Sequence, residues 1–254
     1  MRALIQRNLP VKKNVVVVTC EHAGYRVPEE LVDVIPVAKR RVLSTHEGWD
    51  IGALQIAQKL AADFSAPLFF SDISRLVCDL NRTARLTGPF ARNIKPFLEK
   101  MPADELLGRY YWPYRMKVEE ILNTMIKEHG TVLHLSIHSF TPKLKGEVRN
   151  ADIGILYDPH RGLEKDFAAR LKESMQQVNL DHSQNGASLF YRVRMNYPYM
   201  GTDDGFTTYL RTIFDEANYV GVEIEFNQAH LSDEPGIDAI YGFFKESLET
   251  SISD

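Results

Sequence analysis

The sequence predicts an α/β fold in which a mainly parallel sheet is covered by helices on both faces. Three observations predict it. Short β-branched runs bounded by turn residues alternate with segments whose apolar residues recur at helical spacing. No repeat, low-complexity tract or Gly/Ser linker interrupts that alternation, so a single domain over residues 1–254 is the economical reading. A chain of 254 residues with 44% hydrophobic content is also long enough to bury one large core.

The elements follow in chain order. Residues 14–20, NVVVVTC, read as a buried strand that ends before Glu21-His22-Ala23-Gly24. From Asp50 the period changes. Ile51, Leu54, Ala57, Leu60, Ala61 and Phe64 form one apolar helical stripe, with Asp50 placed as its N-cap. Residues 67–70 and 75–80 read as further strands. Over 112–128, Tyr114, Val118, Ile121, Leu122 and Met125 keep helical spacing, and Gly130 suits the C-terminal stop. A strand over 131–138, a strand over 153–157 and a helix over 164–178 come next. Residues 196–201 are punctuated by Pro198 and Gly201 and read as a loop. A strand over 219–226 and a helix over 237–249 complete the series.

Charge excludes several partners. With 30 Lys+Arg against 34 Asp+Glu, the net charge of −4 supplies no general field for nucleic-acid phosphates or anionic lipid. No apolar run approaches the roughly 20 residues a membrane helix needs. Residues 1–14 lack the long apolar core of a secretory signal, so a cytoplasmic location is expected. The two cysteines, Cys20 and Cys78, match no disulfide framework or zinc-ribbon spacing.

In open α/β sheets, chemistry gathers beyond the carboxyl ends of the strands. His22 falls just after the first strand and His138 ends the strand that starts at Thr131. His134 and His138 are four apart, which on a helix would let them share a metal. On a strand, they are roughly 13 Å apart. The alternation of Leu133, Leu135 and Ile137 with His134, Ser136 and His138 favours the strand, so His138 is the candidate and His134 is structural. A third polar cluster, His46-Glu47-Gly48-Trp49-Asp50, precedes the first helix. A fourth, Glu223-Ile224-Glu225, puts two carboxylates on one face of a buried strand, where a cation or hydrogen bonds must offset their desolvation. Two histidines, a carboxylate and a spare glutamate fit a catalytic zinc site. Taken singly, each residue also has a bland explanation: a capping Asp, a satisfied core His.

Arg75 and Arg82 flank an apolar stretch, and Asn81-Arg82 closes it. A guanidinium matches a carboxylate bidentately, so an anchor for an anionic substrate competes here with a pairing to Asp72 or Asp79. Tyr197 and Tyr199 could line a pocket or pack a turn. Ser139 follows His138, but no G-x-S-x-G elbow is present, and neither a P-loop nor G-x-G-x-x-G occurs.

In their order, Cys20-Glu21-His22-Ala23-Gly24, His46-Glu47-Gly48-Trp49-Asp50, Ser74-Arg75-Leu76 through Asp79-Leu80-Asn81-Arg82, His138-Ser139 and Glu223-Ile224-Glu225-Phe226-Asn227 resemble the N-formylglutamate amidohydrolase family over residues 14–231. The resemblance implies a mixed, mainly parallel sheet sandwiched by helices, similar to zinc carboxypeptidases and aspartoacylase. It implies one zinc ion on His22, Asp50 and His138, with His46 or Glu47 as alternatives to Asp50. Glu225 becomes the general base, with Glu223 as the other register. Asn81 and Arg82 become the substrate-carboxylate anchor, supported by Arg75; apart from the resemblance, the loop reading adds Tyr199 as a substrate-binding candidate. The implied reaction is hydrolysis of an N-acyl amino acid such as N-formylglutamate by metal-activated water. Glu-His-Ala-Gly stands where typical deformylases carry a Pro-His-Ser-Gly type motif, which is more like the family's uncharacterised branch. Two other readings compete: a zinc peptidase or amidase acting on short peptides or peptidoglycan fragments, and a non-catalytic small-molecule-binding protein of the same fold. Two histidines and a carboxylate also suit divalent metals other than zinc.

Overall fold

The structure, a computed structural model, describes residues 15–85, 87–184 and 190–253. The N-terminal stretch read above for targeting lies outside the described residues, as does Asn14 at the start of the first strand. Strand β1, Val16–Cys20, is β-branched up to Thr19 and wholly buried. Two 3-10 turns, Glu29–Val34 and Val37–Val42, lead to helix α1, Ala53–Phe64. Strand β2 is Leu68–Phe70, and helices α2, Gly88–Ile94, α3, Ala103–Tyr110, and α4, Trp112–His129, follow. Pro113 stands in the first turn of α4 and Gly130 ends it at φ 87°, a left-handed position that suits glycine.

Strand β3, Val132–Phe140, is buried along all nine residues. A hairpin of β4, Lys143–Leu144, and β5, Glu147–Val148, precedes β6, Ile153–Leu156. Helix α5, Gly162–Gln184, strand β7, Val193–Met195, helix α6, Phe206–Leu210, strand β8, Tyr219–Asn227, and helix α7, Glu234–Ser253, complete the chain. The main sheet runs β2-β1-β3-β8-β6-β7. Its first four strands are parallel; β6 runs antiparallel to β8, and β7 is parallel to β6. The expected mixed, mainly parallel sheet with flanking helices is therefore observed.

Register sorts the side chains into two faces. Leu133, Leu135 and Ile137 align with Val220, Val222 and Ile224, an aliphatic face. On the other face His134, Ser136 and His138 align with Gly221, Glu223 and Glu225. Helix α7 packs on both α5 and α1, while α4 reaches β3 and α6 reaches β8. A second apolar cluster of Leu31, Val77, Cys78, Leu80, Phe90, Ile94, Phe97, Met101, Leu106 and Tyr111 forms beside the main core.

Two local expectations are corrected. Residues 75–80 are a turn, not a strand: the Ser74 carbonyl accepts from the amides of Val77 and Cys78, and the Ser74 hydroxyl from Leu76. Their apolar character comes from packing Val77, Cys78 and Leu80 into the second cluster. Asp50 does not cap α1; Gly52, at φ 80°, is the capping residue, and the carboxylate of Asp50 is turned elsewhere. A β-carbon on Gly52 would come 2.6 Å from Leu231, so glycine is required there on two counts.

Candidate metal centre

His22 leaves the end of β1, Asp50 stands three residues before α1, and His138 lies near the end of β3. All three are buried, and one potential ligand atom from each lies within 4.8 Å of the others. The two imidazoles meet edge to face with centroids 5.2 Å apart. Asp50 Oδ2 stands 2.8 Å from His138 Nδ1 and 3.4 Å from His22 Nδ1. The main chain holds this arrangement, since the Asp50 amide donates to the His22 carbonyl at 2.9 Å. His22 Nδ1 is buried and has no hydrogen-bond partner. Two imidazole nitrogens and a carboxylate turned on one point are the donor set of a divalent transition-metal site, and that orphaned nitrogen fits such an ion.

The opposite nitrogens are also occupied. His22 Nε2 lies 2.7 Å from Asp79 Oδ1. His138 Nε2 is surrounded by Ser136 Oγ at 3.0 Å, Glu21 Oε2 at 3.2 Å and Asn81 Nδ2 at 3.2 Å. Burial pushes His22 down to about 4, helped by the charge of Arg75 and opposed by Asp79, so this imidazole is neutral at neutral pH. Burial would lower His138 too, but the Glu21 carboxylate, with Glu223 and Glu225, outweighs it and raises His138 to about 9. Burial works against ionisation of Asp79, yet His22 and the neighbouring arginines bring it to about 2.

These groups open into a cavity of about 160 Å³. Glu223 and Glu225 both line it, but their surroundings differ. Thr207 donates a short hydrogen bond to Glu223, whereas Glu225 Oε2 is buried without a partner. Burial, reinforced by Glu223 and opposed by His138 and Arg75, raises Glu225 to about 7.

Arg75 lines the cavity and forms a close ion pair with Asp50, not with Asp72 or Asp79 as its charged neighbours suggested; Asp72 pairs with Arg26. Arg82 donates to the Asp204 carbonyl, and no carboxylate pairs with its guanidinium among the described residues. Asn81 accepts from the Phe206 amide at 2.6 Å and turns its amide nitrogen toward His138. Tyr199 stands at the cavity wall, its hydroxyl accepting from Arg149 at 3.0 Å. His46 lines the cavity but lies outside the buried triad, and Glu47 is exposed and does not line it.

His134 is excluded from the cavity, with its two nitrogens taken by Thr19 at 2.8 Å and Tyr219 at 2.7 Å. Ser139 donates to the Ile51 carbonyl and accepts from Gln228, so no base attends its hydroxyl. Sequence reasoning missed Glu21 and Arg149. Glu21 was visible only as a neighbour of His22, and Arg149 follows a hairpin that no periodicity announced.

No curated protein matches the chain. A solved structure of an Agrobacterium tumefaciens gene product is similar, with 31% identity and a TM-score of 0.74 over 95% of this chain and 91% of that one. The crystal structure of N-formylglutamate amidohydrolase from Ralstonia eutropha shares the fold at 15% identity, with a TM-score of 0.62 over 93% of this chain and 92% of that one. A family profile described as N-formylglutamate amidohydrolase matches residues 15–232, and the chain accordingly belongs to the N-formylglutamate amidohydrolase family.

Proposed function

We propose that the protein is a zinc-dependent amidohydrolase that cleaves the amide bond of an N-acyl amino acid such as N-formylglutamate, acting as one catalytic domain. The observation that carries this reading is the buried convergence of His22, Asp50 and His138 beside the unpartnered oxygen of Glu225. The three side chains would hold the ion. When bound, it would act as a Lewis acid that acidifies water and polarises the amide carbonyl.

The rest falls to the chain's own side chains. Glu225 takes the proton of the attacking water on its free carboxylate oxygen as the water adds to the carbonyl carbon. It then returns that proton to the departing amine, a cycle suited to a carboxyl near neutrality. Arg82, whose guanidinium has no carboxylate partner among the described residues, receives the substrate carboxylate, with Asn81 and Tyr199 alongside. Arg75 orients Asp50 through their ion pair, and its positive charge favours the developing oxyanion. Glu223, held by Thr207, adds negative charge beside the base.

The small cavity favours a compact substrate over a long peptide. The two free, buried cysteines agree with a reducing, cytoplasmic setting. An activity screen with zinc over N-formyl amino acids, N-acetyl amino acids and dipeptides tests the proposal. Turnover of N-acyl amino acids is the expected result; cleavage of dipeptides alone would favour the peptidase reading, and no turnover of any would refute the amidohydrolase.

A further inference from the structure

Glu21 is a wholly buried carboxylate to which the hydrolytic reading assigns no task. Both oxygens are engaged: Oε1 accepts from the Tyr114 hydroxyl at 2.9 Å and Oε2 from the Ser136 hydroxyl at 2.7 Å. Removing a carboxylate from water is costly, so an apolar side chain would serve stability at least as well. The partner with a chemical consequence is His138, whose Nε2 lies 3.2 Å from Oε2.

An imidazole can offer a metal only the nitrogen that carries no proton. The neighbours of His138 Nε2 pull its proton in opposite directions. Asn81 accepts from the Phe206 amide through Oδ1, which leaves its Nδ2, 3.2 Å from His138, as a donor. Accepting from Asn81 would put the imidazole proton on Nδ1, against Asp50, and remove the lone pair from the metal side. Ser136 gives its hydroxyl proton to Glu21, so its oxygen, 3.0 Å from His138 Nε2, can only accept there and sides with Glu21. Glu21 is an acceptor only, and it favours the proton on Nε2 with the Nδ1 lone pair facing Asp50 and His22. On the far side of the centre, Asp79 stands in the same relation to His22 Nε2, at 2.7 Å.

We infer that Glu21 is a positioning residue for the metal centre, holding His138 in the tautomer that binds a divalent cation through Nδ1 and raising the affinity for that cation. The inference rests on reading His22, Asp50 and His138 as a cation site. Hydrogen-bond partners of ligand histidines typically contribute about 10–100-fold in metal affinity.

The test is the zinc dissociation constant of chelator-stripped protein, measured by competition with a chromophoric chelator. Glu21→Gln should weaken zinc binding by about 10–100-fold. Tyr114→Phe touches the other oxygen of Glu21 and not the imidazole, and should weaken it far less. Equal affinity in wild type and Glu21→Gln overturns the inference, as does a loss in Tyr114→Phe as large as in Glu21→Gln. A wild-type chain that binds no divalent cation overturns the cation site itself, an outcome distinct from the first because there the wild type binds. Should Glu21→Gln not fold, long-range 1H–15N spectra of the zinc-free wild type, taken at a pH where the His138 imidazole is neutral, decide. A proton on His138 Nε2 supports the inference, and a bare Nε2 overturns it.

Discussion

Replacing Glu225 with Gln should make the metal-free protein more stable at alkaline pH. Glu225 is buried, and burial together with Glu223 raises its carboxyl from 4.5 to about 7 against the pull of His138 and Arg75. The unfolded chain releases this proton near the ordinary value, while the folded chain keeps it until about 7. Between those values the folded state binds more protons, so stability falls as pH rises. At about 1.4 kcal/mol per pH unit, the full effect is about 3 kcal/mol, fully developed above about pH 8 and absent below about pH 4. Gln carries no charge, and any fixed cost of burying its amide is equal at every pH and cancels in the comparison. His138, raised from 6.5 to about 9, also contributes within this window, but it is present in both proteins and that contribution cancels to first order in the difference. Urea unfolding of both proteins after chelator treatment, at about pH 5 and about pH 8, is the assay. The stability difference should move toward the variant by roughly 2 kcal/mol between the two. A difference that does not change with pH would refute the raised carboxyl. With zinc restored, the same variant should lose about 10²–10⁴-fold in turnover, and wild-type turnover would remove Glu225 as the base.

Other outcomes are open to measurement. Zinc must displace the proton that His138 holds up to about 9, so titration calorimetry at about pH 8 in buffers of different ionisation enthalpy should show proton release, which fades above about pH 10. Arg115 is fully buried among the rings of Tyr111, Phe206 and Tyr209 and donates to the carbonyl of Arg82. Arg115→Met should cost about 2–4 kcal/mol in urea melts and raise KM more than it lowers kcat, because it frees the turn that carries Asn81 and Arg82. Burial opposes ionisation of Asp152, but His230 and Arg192 hold it well below the ordinary 3.8. A depressed carboxyl stabilises above its unfolded value, so the deficit of Asp152→Asn, about 1–3 kcal/mol at neutral pH, should shrink as acid is added below about pH 4. A β-carbon on Gly154 would lie 2.0 Å from the Tyr197 carbonyl oxygen, whereas one on Gly108 meets nothing within 4 Å. Gly154→Ala should therefore lower the melting temperature and activity together, while Gly108→Ala, inside α3, should gain up to about 1 kcal/mol.

Much of this architecture was legible because strand ends and helix starts leave marks in sequence. His22, His138 and the Glu223/Glu225 pair stand at or near the ends of buried strands, a placement that sequence shows. The position of Asp50 was equally clear, but an acidic residue before a helix reads as a cap, and only the left-handed Gly52 frees its side chain for the imidazoles. Residues 75–80 misled because an apolar turn packed on a satellite cluster has the same composition as a short strand. Strand direction is not written in strand composition, and so the antiparallel course of β6 was invisible. Contacts such as Glu21 with Ser136, or Arg75 with Asp50, join distant segments and are created by packing alone.

The two apolar clusters have a consequence for how such an enzyme can diversify. His138 and Glu225 stand on strands rooted in the main core, while Asn81 and Arg82 sit on a turn whose apolar residues belong to the satellite cluster with α2 and α3. Drift at Leu31, Phe90, Ile94 or Leu106 can therefore tilt the turn of Asn81 and Arg82 while leaving the strands of His138 and Glu225 undisturbed. Under the proposed function, selectivity would be an inheritable trait separable from reactivity, open to substitutions that never enter the cavity.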